Sequence, residues 1–136
     1  MRVLMAVLAA LSIFVTGCES AAGSGSELAG TAWQLTGWSA NSPDPAPFNI
    51  TAAFDDTKIS GRSAVNRYGG PYSATAGGDF SVGELQTTLM AGSEEATHAE
   101  QIHFELLRQV RKYAVNGTTL TLLDGGNNAL LIFTKK

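Results

Sequence analysis

The sequence is poor in cysteine and in charge. Cys18 is the only cysteine in 136 residues, which excludes a disulfide within the chain. Charged residues make up 15% of the chain, the formal net charge is −3, and lysine and arginine form no long cluster. Because nucleic acids bind basic patches, this mild acidity argues against a nucleic-acid partner.

Long hydrophobic runs are also lacking beyond the N-terminus. Arg2 precedes an uncharged, mostly apolar run over residues 3–15. This run is shorter than the roughly 20 residues that span a bilayer, but its length is typical of a secretory signal. After residue 18 no run is apolar enough to cross a membrane. We therefore expect an exported chain that loses residues 1–17 as a signal peptide.

The signal ends in Val15-Thr16-Gly17-Cys18, which resembles the lipobox of bacterial lipoproteins. The resemblance implies cleavage before Cys18 and lipidation of its thiol, with acyl chains such as palmitate as the membrane anchor. The alternative is an ordinary secretory signal with a chance cysteine. Each buried methylene contributes about 0.8 kcal/mol, so two or three acyl chains anchor a protein stably. The expected location is the extracytoplasmic face of the cell membrane, and Glu19 after the cysteine permits outer-membrane delivery in a two-membrane host.

The mature chain has the size of one domain. Removing residues 1–17 leaves eight Lys and Arg against twelve Asp and Glu, a net charge of −4. Residues 18–27 hold the lipidated cysteine and a linker of small residues, and residues 28–136 form the domain. A domain of this size needs no disulfide or metal to be stable.

Short segments of alternating apolar residues predict antiparallel strands. Gly69-Gly70-Pro71 predicts a bulge or bend, Asn116-Gly117 predicts a type I′ turn, and the proline-rich residues 41–48 predict a surface loop. The nearly all-apolar segment 129–133 is expected to be a central strand. The predicted strands cover residues 31–38, 49–54, 58–62, 64–75, 79–82, 84–90, 113–115, 118–123 and 129–133.

One segment has helical periodicity instead. Ser93 is a candidate N-cap, and apolar residues follow at steps of three and four through Val110, which predicts an amphipathic helix over residues 93–112. The expected fold class is α+β and β-rich, a twisted antiparallel sheet or partly closed barrel with this one helix.

Three segments resemble the META domain family of HslJ-like bacterial lipoproteins. They are Leu28-Ala29-Gly30-Thr31-Ala32-Trp33-Gln34-Leu35, residues 61–72 (GRSAVNRYGGPY) and residues 87–92 (TTLMAG). The last two resemble the family patterns G-x-x-G-C-N-x-[FY]-x-G-x-Y and T-x-M-A-C. The resemblance covers residues 28–134 and implies a β-rich fold with one helix, an envelope location and no established enzyme activity.

The sequence departs from the family at both signature cysteines, whose positions hold Val65 and Gly92. Both cysteines are replaced together, as expected if the two positions touch in the fold. We therefore predict that Val65 and Gly92 are neighbours, and any redox role of these positions is absent from this chain.

The motifs of common catalytic sites are missing. The sequence has neither a G-x-S-x-G elbow nor a phosphate-binding glycine loop. His98 and His103 are five apart on the predicted helix, about 140° around its axis, so they cannot share a metal as i and i+4 residues do. We predict no catalytic residues, no metal and no cofactor, and expect that the chain is not an enzyme. A hydrolase or peptidase is the less favoured rival.

His103 lies on the apolar face of the predicted helix. It is interpreted as a core histidine bonded to a backbone carbonyl, with a buried acid–base or ligand group in a barrel mouth as the alternative. Trp38 and residues 41–48 form one candidate surface for binding.

A polar and aromatic group forms the other candidate binding surface: Arg62, Asn66, Arg67, Tyr68 and Tyr72. The alternative is that Asn66 satisfies buried backbone groups, with the arginines and tyrosines bordering the sheet. The sequence thus predicts a membrane-tethered, non-enzymatic META domain, a binding or stress-related module whose partner is an unidentified envelope protein or small ligand. A carrier of a small apolar ligand inside the sheet is the alternative.

Overall fold

A computed structural model describes residues 27–136; the predicted signal peptide, Cys18 and the linker up to residue 26 lie outside them. The described chain forms nine strands and one α-helix, so the expected β-rich fold class is confirmed. The elements are β1 Thr31–Trp38, β2 Thr51–Phe54, β3 Lys58–Arg62, β4 Arg67–Ala74, β5 Phe80–Val82, β6 Gln86–Thr87, α1 Glu94–Gln109, β7 Lys112–Asn116, β8 Thr119–Leu123 and β9 Ala129–Lys135.

The strands form one antiparallel sheet that nearly closes into a barrel. Its order is β5-β4-β3-β2-β1-β9-β8-β7, and β6 pairs with β4 beside β5. The two ends of this order meet where the Phe80 amide donates to the Arg111 carbonyl at 2.9 Å and the Tyr113 amide donates to the Gly78 carbonyl at 2.9 Å. β9 lies between β1 and β8, which confirms the predicted central strand.

Side chains from both halves of the barrel fill its interior. Strand alternation points one face of each strand inward, because successive side chains lie on opposite faces of a sheet. Phe54 contacts Tyr72 edge to face at 5.0 Å between ring centroids, and Phe80 bridges this pair to Tyr113. The largest fully buried side chains are Trp33, Phe133, Leu28, Leu35, Ile50, Ile59, Leu107, Leu120, Leu122, Leu131, His103 and Val110.

The helix begins as predicted and ends early. The Ser93 hydroxyl accepts the Ala96 amide at 3.1 Å, which confirms the N-cap. The helix stops at Gln109, three residues before the predicted end, and Val110 is extended. The cause is the closure of the sheet, since the Arg111 amide donates to the Leu123 carbonyl at 2.8 Å and its carbonyl accepts the Phe80 amide.

The predicted type I′ turn was wrong, and of the two alternatives predicted at Gly69–Pro71 the bulge does not form. The turn after β7 has its two central residues at Gly117 and Thr118, because Asn116 pairs with Thr119. Within it only Gly117 has a positive φ, 60°, so the turn resembles type II′ rather than type I′. The ladder between β3 and β4 runs through Gly69–Pro71 without a register shift, so no bulge forms there. On the edge of β4 away from β3, Tyr68 and Gly69 pair with β6, and residues 72–74 pair with β5.

The predicted strands 64–75 and 84–90 are both shorter than expected. The Ser63 amide donates to the Asn66 carbonyl at 2.7 Å, so residues 63–66 turn and β4 starts only at Arg67. β6 contains only Gln86 and Thr87. Beyond it, the segment carrying Met90 bonds to the Asn66 side chain rather than to a strand.

Candidate binding surface

Asn66 and Glu100 tie three segments together beneath the surface. The backbone amide of Asn66 donates to Oε1 of Glu100 at 2.7 Å, and its side-chain Nδ2 donates to Oε2 at 2.8 Å. Its Oδ1 accepts the Met90 amide at 2.6 Å and the Thr88 hydroxyl at 2.9 Å. The Val65 amide donates to Oε1 of Glu100 at 3.1 Å. This network fixes the start of β4 against the helix and against the segment after β6. Asn66 therefore satisfies buried backbone groups, which is the structural role predicted for it as the alternative to binding.

Two opposing effects set the acidity of Glu100. Burial raises the pKa of this carboxyl, but hydrogen bonds from the Asn66 backbone and side chain, the Val65 amide and the Ser63 hydroxyl more than offset burial, so the pKa lies below its usual range. Glu100 is therefore a carboxylate at neutral pH, where it accepts these bonds with both oxygens. The charged Glu100 side chain therefore has a structural role, because it accepts the hydrogen bonds that fix the start of β4 against the helix.

His103 is fully buried beside this network. Its Nδ1 lies 2.9 Å from the Ser63 hydroxyl, so its partner is a side chain and the expected backbone carbonyl was wrong. Its Nε2 has no hydrogen-bond partner among residues 27–136. Burial lowers the pKa of His103 to about 4, although the nearby Glu100 charge acts to raise it. The imidazole is neutral at physiological pH.

Ser63, His103 and Glu100 have the composition of a catalytic triad but not its geometry. Ser63 and His103 are both completely shielded from solvent, so no substrate reaches the hydroxyl. In a triad the acid holds the histidine and the histidine contacts the serine. Here both Glu100 oxygens accept hydrogen bonds from Asn66 and not from the imidazole. The arrangement supports packing rather than nucleophilic attack.

Val65 and Gly92 are in direct contact, as predicted. A Cβ atom built on Gly92 would lie 2.6 Å from Cγ2 and 3.4 Å from Cβ of Val65. The valine side chain thus fills the space that a side chain at position 92 would need. The two replaced family positions compensate each other, a large residue on one side facing glycine on the other.

The five candidate surface residues divide into two groups. Arg62 and Arg67 are exposed, whereas Asn66, Tyr68 and Tyr72 are buried, so placing these three on a surface was wrong. Tyr68 and Tyr72 point inward because strand alternation puts them on the core face of β4. The Tyr68 hydroxyl donates to the Thr51 carbonyl at 2.7 Å and the Tyr72 hydroxyl to the Asp55 carbonyl at 2.6 Å.

The exposed arginines border an open hollow on the outer face of the sheet. Arg62 and Arg67 are directly opposite each other on β3 and β4. The hollow has a volume of about 580 Å³ and continues into a smaller one of about 390 Å³, and Arg67 and Ser60 line both. We name this region the outer hollow. Its lining residues from β3, β4 and the segment of β6 include Lys58, Ser60, Arg62, Arg67, Gly69, Pro71, Glu84, Gln86 and Thr88.

Both guanidinium groups lack partners. Within residues 27–136 neither makes a hydrogen bond or an ion pair. Like charges opposite each other on neighbouring strands repel. Among residues 27–136 no carboxylate forms an ion pair with either guanidinium, so the pair is available to an anionic group from outside the domain.

Two further features lie at the surface. Leu89 is 96% exposed and Met90 is 67% exposed, although the Met90 backbone is fixed at both polar groups: its amide donates to Asn66 Oδ1 and its carbonyl accepts from Asn66 Nδ2. These side chains form an apolar tip next to Thr88, which bonds to the Arg67 backbone. Trp38 of the second candidate surface is half-buried, with its indole nitrogen donating to the Pro43 carbonyl at 2.9 Å. Sequence reasoning missed the Leu89–Met90 tip because it assigned both residues to a strand.

The family model of the META domain matches residues 26–136. The chain belongs to the META domain family. The match covers the whole described barrel and its helix, and it includes the Asn66 turn, both arginines and the Val65–Gly92 contact. The family membership expected from the sequence motifs is therefore confirmed.

Solved structures share the fold of this META domain. A protein from Burkholderia xenovorans, determined by NMR, is 24% identical and has a TM-score of 0.65, with 80% of this chain and 83% of that chain covered. A crystal structure of a DUF4847 family protein from Bacteroides vulgatus is 14% identical and has a TM-score of 0.58, with 79% and 94% covered. No curated protein matches the chain. At these identities the likeness shows the fold alone.

Two kinds of feature are absent from the described residues. Within residues 27–136 no helix is long and apolar enough to cross a membrane. The same residues contain no group of three or more His, Cys, Asp or Glu side chains arranged to hold a metal ion.

Proposed function

We propose that the protein is a membrane-tethered envelope lipoprotein whose META domain is a non-enzymatic binding module. Cys18 carries the anchor, and the domain acts by contact through the outer hollow and its arginine pair. The observation that carries this proposal is the exposed, unpartnered Arg62–Arg67 pair on adjoining strands of a rigid sheet. Arginine is enriched at the residues that dominate binding energy in protein interfaces.

Hydrogen bonds that fix the backbone at Arg62 and Arg67 support a binding role. Tyr68 follows Arg67 on β4, and its buried hydroxyl bonds to the Thr51 carbonyl, while the Arg62 amide donates to the Thr51 hydroxyl at 3.0 Å. The backbone that carries both arginines is thus held before any partner arrives. A rigid surface binds with a smaller loss of conformational entropy than a mobile one.

The arginine pair and the first described residues of the domain lie at opposite ends of β2. The described chain begins at Glu27, and the Gly30 amide donates to the Phe54 carbonyl at 2.8 Å, at the end of β2. Arg62 bonds to Thr51 at the start of β2. The two points are separated by the length of β2, about 10 Å along the strand. The arginine pair therefore lies at the end of β2 opposite the point where the linker joins the domain.

The filled barrel makes an internal ligand the weaker alternative. Aromatic side chains of Phe54, Tyr72, Phe80 and Tyr113 contact one another across the interior. A carrier of an apolar ligand needs an enclosed apolar cavity of several hundred Å³. The hollows described above open on the outer face instead.

Partner recovery from solubilised envelope tests the proposal. The processed protein, its Arg67→Ala variant and an Arg108→Ala control serve as baits, since Arg108 is an exposed arginine near the helix end. The account predicts at least one protein that is recovered by the parent and by Arg108→Ala but is strongly reduced with Arg67→Ala. Identical recoveries by all three baits would reject this surface. Turnover of a substrate by the purified protein, abolished in His103→Ala, would reject the non-enzymatic reading.

A further inference from the structure

The outer hollow owes its depth to a glycine that packing does not require. Ser60 and Gln86 flank Gly69 on the neighbouring strands, and Gly69 has no side chain to fill the space between them. A Cβ on Gly69 would lie 3.4 Å from the Ile59 carbonyl oxygen and 3.6 Å from Cβ of Ser60, ordinary contact distances. The next residue differs, since a Cβ on Gly70 would lie 2.6 Å from the Glu84 carbonyl oxygen. The fold needs Gly70, but it would accept a side chain at Gly69.

Charge is distributed unevenly along the hollow. Arg62 and Arg67 lie at one end, and Asp55, Lys58 and Glu84 line the other. An anion is attracted to the arginine end, whose net charge is positive, and not to the far end, where Lys58 offsets only one of the two carboxylates. The hollow therefore favours a ligand with one negative group in one orientation.

We infer that the outer hollow binds a slender ligand that carries an oxyanion, a carboxylate or a phosphate, held between Arg62 and Arg67. The body of the ligand lies over Gly69, between Ser60 and Gln86. Guanidinium groups suit this chemistry because each presents a planar fork of donors that matches the two oxygens of a carboxylate or phosphate. This inference rests on the proposed function, since it names the ligand chemistry of the same surface.

The dimensions of the hollow limit the ligand. From Arg67 to Pro71, four steps along β4, the strand spans about 13 Å. An extended peptide of about four residues has the same length. A capped tetrapeptide of one glutamate followed by three glycines and inorganic phosphate are therefore suitable probes, and comparing them distinguishes a polypeptide source of the oxyanion from a phosphate source.

Titration of the purified, processed protein with each probe at low salt tests the inference, with binding followed by amide NMR signals. We expect shifts at the Arg67, Gly69 and Thr88 amides and displacement of the peptide by phosphate. Arg62→Ala or Arg67→Ala should weaken binding of both probes about tenfold, as expected for loss of a charge-assisted hydrogen bond. Arg108→Ala should leave both affinities unchanged.

Filling the hollow tests its shape separately from its charge. Gly69→Val should weaken the peptide at least tenfold and phosphate much less, because the arginines remain. Gly37→Val is the matched control, since a Cβ on this strand glycine would also meet only ordinary contacts, 3.7 Å from Ile132 Cβ. The control should bind both probes normally, and melting temperatures would verify that every variant is folded.

The outcomes separate the inference from the proposed function. If the peptide binds more tightly than phosphate, the oxyanion is assigned to a polypeptide. If phosphate binds as tightly as the peptide or more tightly, it is assigned to a phosphate group. Either result supports the inference. Binding that does not depend on Arg62 or Arg67, or no binding of either probe, overturns it. If Arg67→Ala nevertheless loses its envelope partner, the proposed function stands and the oxyanion inference alone fails.

Discussion

At the scale of single residues, the buried pair of Ser63 and His103 gives the domain a pH dependence. His103 has a pKa near 6.5 when the chain is unfolded and about 4 in the folded domain because burial opposes its charge. The folded state binds fewer protons, so this contribution to stability is complete above pH 6.5 and is lost as the pH falls toward 4. A shift of this size corresponds to about 3 kcal/mol.

We predict that the melting temperature falls between pH 7 and pH 4, and that His103→Asn flattens this fall because it removes the titrating group. His98→Asn is the control, since His98 is exposed on the same helix and its replacement should preserve the slope. Calorimetry at several pH values measures the melting temperatures of the parent protein and of both variants. An unchanged slope in His103→Asn would contradict the assignment.

Glu100 adds a separate effect at lower pH, because its pKa is lowered and its stabilisation is lost only as the pH falls below its unfolded value, 4.5.

The contact between Val65 and Gly92 gives a second prediction. Paired cysteines need Cβ atoms about 3.5–4.5 Å apart, and a Cβ built on Gly92 lies 3.4 Å from that of Val65. Val65→Cys with Gly92→Cys should form a disulfide under oxidising conditions, visible by intact mass as the loss of two hydrogens. Each single cysteine variant is the control and should retain a free thiol. Two free thiols in the oxidised double variant would contradict the contact.

At the scale of elements, Asn66 connects the turn before β4, the helix and the segment after β6. Replacing it with alanine leaves the Met90 amide without its side-chain acceptor and removes the donor to Oε2 of Glu100, while Oε1 keeps the two backbone amides. Each polar group that loses its partner costs about 1–3 kcal/mol if it stays buried. We predict that Asn66→Ala lowers the melting temperature and accelerates hydrogen exchange at the Met90 amide. Asn116→Ala, at an exposed position in β7, should change neither. Normal protection of Met90 in Asn66→Ala would contradict this role.

The elements also show which features the sequence could predict. The Ser93 cap, the helix start and the central strand β9 follow from local residue type and periodicity, and the structure confirms them. The early helix end at Gln109 depends on pairing of Arg111 with Leu123 and Phe80, partners distant in sequence. The same limit applies to the surface. Alternation alone puts Arg67 and Tyr68 on opposite faces of the predicted strand, but which face is buried depends on packing against distant segments, so both were assigned to one surface.

The whole molecule combines a filled barrel with a predicted membrane anchor. We predict that Cys18 carries the lipid, because it ends a lipobox-like segment and is the only cysteine. Cells given a labelled fatty acid should label the parent protein, whereas Cys18→Ala should be unlabelled and uncleaved or released. Cys18→Ala that retains the label would refute the anchor. This experiment does not involve the outer hollow, so it tests the tether independently of the binding proposal.

At the same scale, we propose that the domain works by contact through the outer hollow. The most direct measurement is crosslinking in living cells with a photoreactive amino acid at Ser60, which lines the hollow, and at Ala114, an exposed position on β7 that does not line it. The account predicts a discrete crosslinked product from position 60 that disappears when Arg67→Ala is added, and no such product from position 114. Crosslinking from position 114 alone, or a product from position 60 that persists with Arg67→Ala, would contradict it.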